Sequence, residues 1–189
     1  MILSNNEEHS KNKLIIDEAI FIKIYENDMA AFEEFYKLTE RSIYAFVLSI
    51  LKNHDDALDV VQDTFLKIRA AAHLYKPMGK PLAWVFAIAR NLSLSCLRTR
   101  NKFNNMQTEN FENNINFSYI INNEDRLIFK AVFNVLNELE REIIMLHSIS
   151  GLAHKEIAQI LSIPLSTILS KYHRSLKKIK KYILEQELL

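Results

Sequence analysis

The sequence is short of everything that breaks a helix. It holds two glycines and three prolines in 189 residues, and the alternation of apolar and polar residues that marks strands is scarce. Mainly β architectures are thereby disfavoured, and an all-α fold is expected. Cys96 is the single cysteine, so an internal disulfide is excluded. A lone thiol in an apolar run suits a small core residue in a reducing compartment. The start, MILSNNEEHSKNK, lacks the basic flank and apolar run of a signal peptide. No apolar stretch approaches the length that spans a bilayer. A soluble, cytoplasmic protein without membrane insertion is expected.

Hydrophobic residues make up 49% and charged residues 25% of the chain, a globular composition sufficient for one ordinary domain or two small ones. The net charge of +1 hides a segregation. Acids prevail up to Asp63, with Asp55, Asp56 and Asp59 among them. Between Thr64 and Thr108 there is no Asp or Glu, yet Lys67, Arg69, Lys76, Lys80, Arg90, Arg98, Arg100 and Lys102 all fall there. Acids return from Glu109 to Glu142, and the tail is basic again. Two basic blocks separated by acidic ones point to two contacts with a polyanion, or to two solvated faces.

Apolar periodicity divides the chain into helices. From about Leu14 to Leu51, Phe32, Phe35, Tyr36, Ile43, Phe46 and Ile50 recur at helical spacing. Leu58, Val61, Phe65, Ile68, Ala72 and Tyr75 form one stripe of a second long helix. KPMGKP reads as a turn, after which Pro81 opens a helix reaching about Arg100. Residues 105–123 are asparagine-rich and read as a linker. Helical spacing resumes at Glu124, with Leu136, Leu139, Ile143 and Leu146 on one stripe. The expected organisation is a helical domain over 14–104, the linker, and a second helical domain over 124–185. No internal repeat is visible.

The last segment, GLAHKEIAQILSIPLSTILSKYHRSLKKIKKYI, has the form of a helix-turn-helix unit. Ile157, Ile160 and Leu161 would pack a bracing helix inward, and Pro164 lies where a second helix begins. Leu165, Ile168, Tyr172, Leu176, Ile179 and Ile183 make that helix's apolar stripe. Ser166, Ser170, His173, Arg174 and Lys177 are left on the opposite face. Short donors early and long cations later suit base edges and phosphates respectively. An ordinary helical hairpin with a solvated basic face has the same periodicity.

Motifs along the chain bear on that choice. The second domain carries LNELEREIIML, then Glu156-Ile157-Ala158, then IPLSTILSKYHR. The first carries DALDVVQDTFL from Asp56 to Leu66 and WVFAIARNLSLSCLR from Trp84 to Arg98, preceded by AFEEFYKLTERSIYAFV. In this order they resemble the extracytoplasmic-function group of bacterial RNA polymerase sigma factors, from about Ile24 to Ile183.

The resemblance implies that the chain binds core RNA polymerase and promoter DNA, directs initiation, and uses no cofactor, metal or small-molecule substrate. Asp56, Asp59, Gln62, Asp63 and Phe65 match the family's polymerase-docking helix. Lys76 to Lys80 match its specificity loop. Arg90, Asn91, Arg98 and Arg100 match the helix that reads and melts the −10 element, with Asn91 in the base pocket. Ser166, Thr167, Ser170, Lys171, His173, Arg174 and Lys177 match the helix that reads the −35 element. By family habit an anti-sigma factor covers these faces. Trp84 is either a stacking platform or core, with core preferred. His147 and His154 lie seven apart without a cysteine partner, so a metal site is not expected.

Several positions depart from the family pattern. Leu58 replaces an acid, Arg69 an aromatic, Ser95 an acid and Cys96 an aromatic. Ser166 replaces glycine, Leu169 a polar residue and Lys171 an arginine. Ala153 stands where a serine often caps the bracing helix. These leave a second reading, a sigma-like regulator that binds DNA or protein without directing initiation. An enzyme finds no support: the sequence shows no glycine-rich phosphate loop, metal cluster or nucleophile with an evident base.

Overall fold

The computed structural model describes residues 16–103 and 131–187; the expected linker over 105–123 lies outside them. Among the described residues there are helices and no strand. Helix α1 spans Ala19–Tyr25 and α2 spans Met29–Leu51, so the stretch expected to run from 14 to 51 is broken. Asn27 takes a left-handed conformation with φ 62°, which asparagine tolerates better than most residues. Asp28 then caps α2, accepting from the Ala30 and Ala31 N–H groups at 2.9 and 3.1 Å. Apolar spacing runs through this break without a mark; the polar pair Asn-Asp is its only local signal.

Asn53 caps α3, His54–Ala71, by accepting from Asp56 N–H at 2.9 Å. Asp55 and Asp56 sit in its first turn, where carboxylates oppose the helix dipole favourably. A 3-10 turn, Ala72–Leu74, leads into the loop before α4, Pro81–Phe103. After a helical stretch at 131–135 come α5, Glu138–Ser148, α6, His154–Leu161, and α7, Leu165–Glu187. Asn137 and Glu140 close a reciprocal cap on α5 at 3.0 and 3.2 Å. At α6 only half of that device exists. Ala153 N–H donates to Glu156 Oε2 at 2.7 Å, but alanine returns nothing. Ala153→Ser should therefore stabilise the protein by about 1 kcal/mol, read as a raised urea midpoint.

Helices α2, α3 and α4 enclose the first core, with Phe35, Phe46, Ile68 and Phe86 fully buried. From Ile43 to Leu51 every residue of α2 is buried. Such a segment needs cover on all sides: α3 and α4 pack on it, and so does α5. The two halves read from sequence as tethered thus share an interface, which α6 extends by packing against α4. Leu58, Leu165 and Leu176, placed on inward stripes by periodicity, are about two-fifths exposed. They lie at the stripe edges, beyond the reach of the covering helices.

Candidate polymerase and nucleic-acid interfaces

On α3 the helical period brings Asp56, Asp59 and Asp63 to one face, with Gln62 beside them. Asp59, Gln62 and Asp63 are exposed. Asp56 is half-buried and accepts from Arg100 at 3.0 Å, so one expected docking acid and one expected phosphate cation hold each other. Beside this ridge runs a groove of about 450 Å³ between α2 and α3, lined by Phe32, Tyr36, Leu58, Gln62, Phe65 and Leu66. Phe65 is its floor rather than its rim. It is 3% exposed and packs against Tyr36, Phe35 and Phe32 at 4.6, 5.8 and 6.4 Å between ring centres. Arg69, which stands where the family has an aromatic, lies over the Phe32 ring at 5.7 Å.

On α4, Asn91, Ser95, Arg98 and Lys102 are exposed, at spacings that set them along one face. Arg90 is turned elsewhere. Its Nε donates to Glu142 Oε2 at 2.6 Å, and the Glu142 side chain is only 5% exposed. Burial pushes the Glu142 carboxyl above its ordinary range against the pull of Arg90. Next to it, Arg141 is buried and donates to the carbonyls of Ser49, Phe133 and Leu136 at 3.0, 3.2 and 3.2 Å. Trp84 is partly buried, edge-on to Phe21 at 5.1 Å and Tyr75 at 5.3 Å, as a core residue. In the loop, Lys76 is exposed, while Lys80 Nζ reaches Gln159 of α6 at 3.4 Å.

The interdomain pair went unseen in the sequence. Its signal was available: Glu142 falls three residues after Leu139 and four before Leu146, a charge set on an apolar stripe. Such a charge needs a partner, but nothing local names Arg90.

On α7, Ser166, His173, Arg174 and Lys177 are exposed, and Thr167, Ser170 and Lys171 half-buried. Arg174 donates to Ser170 Oγ at 2.6 Å, one turn back. Lys178 of the same helix pairs with Glu140 of α5 at 2.8 Å, which ties α7 to its support. Beneath α7 the rings of His147 and His154 stack at 4.3 Å, and Tyr172 meets both edge-on at 4.8 and 4.6 Å. His147 Nδ1–H donates to the Leu152 carbonyl at 2.9 Å.

Burial, and then the neighbouring His147 and His173, hold His154 below its ordinary pKa. The unfolded chain then binds a proton near pH 6.5 that the folded chain refuses, so this site loses stability as pH falls below that value. The melting temperature of His154→Phe, compared with the natural chain, should therefore rise in relative terms between pH 7.5 and pH 5.5.

Each half of the chain thus presents an exposed polar face on a long helix, and the first adds an acid-rimmed aromatic groove. Residues 35–103 match the family Sigma-70 region 2, and residues 126–179 match Sigma-70, region 4. The chain belongs to the extracytoplasmic-function group of sigma factors. It is similar to the ECF RNA polymerase sigma factor SigK of Mycobacterium tuberculosis (strain ATCC 25618 / H37Rv), 24% identical over 170 residues, 86% of this chain and 91% of the relative. A SigK of Mycobacterium sp. (strain KMS) is 23% identical over 171 residues, 86% of this chain and 88% of the relative. Among solved structures, CnrH in complex with the cytosolic domain of CnrY superposes with a TM-score of 0.64 at 19% identity, covering 88% of this sigma factor and 96% of CnrH. The sigma factor RpoE in complex with the anti-sigma factor NepR from Bartonella quintana gives 0.62 at 25%, covering 80% and 96%. In this sigma factor, no helix among the described residues is long and apolar enough to cross a membrane.

Proposed function

We infer that this chain is an alternative sigma factor that carries core RNA polymerase to its promoters and is controlled by an anti-sigma factor. The observation that carries this is the pairing, in order on one chain, of sigma regions 2 and 4, each with an exposed polar helix face. The docking surface is Asp59, Gln62 and Asp63 beside the groove that Phe65 floors, with Asp56 joining once Arg100 is drawn to DNA. Asn91 takes an extruded −10 base on its amide. Arg98, Arg100, Arg90 and Lys76 follow the backbone, and Lys80 anchors the loop. On α7, Ser166, Thr167, Ser170 and His173 meet −35 base edges, while Lys171, Arg174 and Lys177 meet phosphates. Arg90 can reach a phosphate only after leaving Glu142, so −10 engagement breaks the Arg90–Glu142 pair between α4 and α5. An anti-sigma factor is supported by the two solved relatives: CnrH is bound to CnrY and RpoE to an anti-sigma factor.

Run-off transcription with core RNA polymerase and a library of genomic fragments from the source organism tests this. Specific transcripts are expected. Asn91→Ala should cut them by about 5- to 150-fold, since a good side-chain pairing with a base is worth about 1–3 kcal/mol. Asp59→Ala should lower affinity for core polymerase. DNA binding without transcripts and without a complex with core would instead favour the non-initiating regulator, the reading left open by the departures at Leu58 in the docking motif and Ala153 at the cap of α6.

A further inference from the structure

The loop between the 3-10 turn and α4, residues 76–80, is short and open, with Met78 69% exposed. A flexible loop is a poor reader of bases, because each pose costs ordering entropy when DNA binds. This loop is not left to itself. Glu18, at the N-cap of α1, sends its Oε1 into the loop and accepts hydrogen bonds from Met78 N–H at 3.3 Å and Lys80 N–H at 3.1 Å. The same oxygen accepts from the Tyr75 hydroxyl. One carboxylate oxygen thus gathers donors from the loop's entrance, middle and end.

The surroundings fix the carboxylate in turn. Phe21, three residues on and so on the same face of α1, is buried and packs on Tyr75 at 4.5 Å and Trp84 at 5.1 Å between ring centres. Gly79, with φ 71°, supplies the left-handed turn that lets Met78 and Lys80 both point their N–H groups at one acceptor. The Tyr75 hydroxyl holds the Glu18 carboxyl below its ordinary range, so the acceptor is charged at neutral pH. Hydrogen bonds to a charged acceptor are about twice as strong as neutral ones. Glu18 lies outside residues 35–103, the part that matches region 2.

We propose that Glu18 is a positioning residue for −10 recognition, holding the 76–80 loop in the one shape that discriminates among bases. This rests on the assignment of that loop to the −10 element. Glu18 touches no base itself; it acts through the loop backbone. Removing it should leave the docking groove on α3 and the −35 face on α7 as they are, and blur the choice of base.

The test uses the full-length chain with core polymerase on a promoter from the run-off screen, with all four bases placed in turn at each −10 position. Glu18→Ala should lower discrimination at one or two of those positions by about tenfold, with core-polymerase affinity unchanged. Glu18→Gln keeps an acceptor oxygen without its charge and should recover part of the discrimination. Tyr75→Phe, which removes a single donor, should show a smaller loss at the same positions and guards against poor folding of the alanine variant. A uniform fall in transcription across all base variants would overturn the proposal and make Glu18 a merely structural residue. So would an unchanged base profile, while leaving the sigma-factor reading intact. Absence of promoter-specific transcripts from the natural chain would overturn both.

Discussion

Arg141→Met lowers the stability of the full chain by about 3 kcal/mol or more, because it leaves three buried carbonyls without their donor. The expectation comes from the three carbonyls that Arg141 serves, those of Ser49, Phe133 and Leu136. Methionine keeps most of the apolar stem and fills most of the space, so the loss isolates the guanidinium. Each buried carbonyl left without a donor costs about 1–3 kcal/mol, and water reaching one of them keeps the total from being a simple sum. Against a typical stability of about 5–15 kcal/mol, this is a large fraction. Arg141→Lys should fall between, because a single ammonium cannot reproduce the planar fork that reaches three acceptors. Urea denaturation followed by circular dichroism measures all three chains. A loss below about 1 kcal/mol would mean that these carbonyls are re-solvated at little cost and that the guanidinium ties nothing together.

The bond to Ser49 also explains which parts of the protein were legible in its sequence. Helical segments were, though not all their ends. Apolar spacing runs through the break between α1 and α2 and carries the α3 stripe on to Tyr75, past the helix end at Ala71. The mostly apolar IYAFVLSIL marks where α2 is buried on every side. The turn at Ser162 to Pro164 was equally legible. Ser162 is left-handed with φ 54°, and Pro164 accepts from the Thr167 and Ile168 N–H groups. The polar face of α7 followed from the same periodicity, and Ser166, His173 and Arg174 are exposed there; Asn91 and Arg98 on α4, exposed as well, were named by the family resemblance alone. What periodicity cannot convey is pairing at a distance. Arg141 meets a carbonyl 92 residues away and Arg90 a carboxylate 52 away. In the sequence, Arg90 was one cation among many in a basic block. Glu18 was hidden for a related reason: apart from the Tyr75 hydroxyl its partners are backbone N–H groups of a loop about 60 residues on, and backbone donors carry no sequence signature.

Arg90→Ala separates the two roles that α4 gives to one guanidinium. With Arg90 gone, Glu142 is left as a carboxylate buried at 5% exposure, and near neutral pH the chain should lose about 3–5 kcal/mol. The loss should depend on pH with a definite sign. Burial already raises the Glu142 carboxyl above its ordinary value, and Arg90 is what pulls it back. Without Arg90 it rises further. Between the unfolded value, about 4.3, and the raised folded value, the folded chain binds the extra proton, so stability falls as pH rises through that window. Arg90→Ala should therefore sit closer to the natural chain at pH 5 than at pH 7.5. Adding Glu142→Gln removes the orphaned charge and should restore much of the stability, flattening the difference between the two pH values. The double variant then reports on DNA alone. A cation that meets a phosphate contributes about 0.9 to the slope of log affinity against log salt. If Arg90 exchanges Glu142 for the −10 backbone, the double variant binds promoter DNA with a slope shallower by about that amount. A slope equal to that of the natural chain would confine Arg90 to the seam between the two halves and leave Arg98 and Arg100 to follow the DNA.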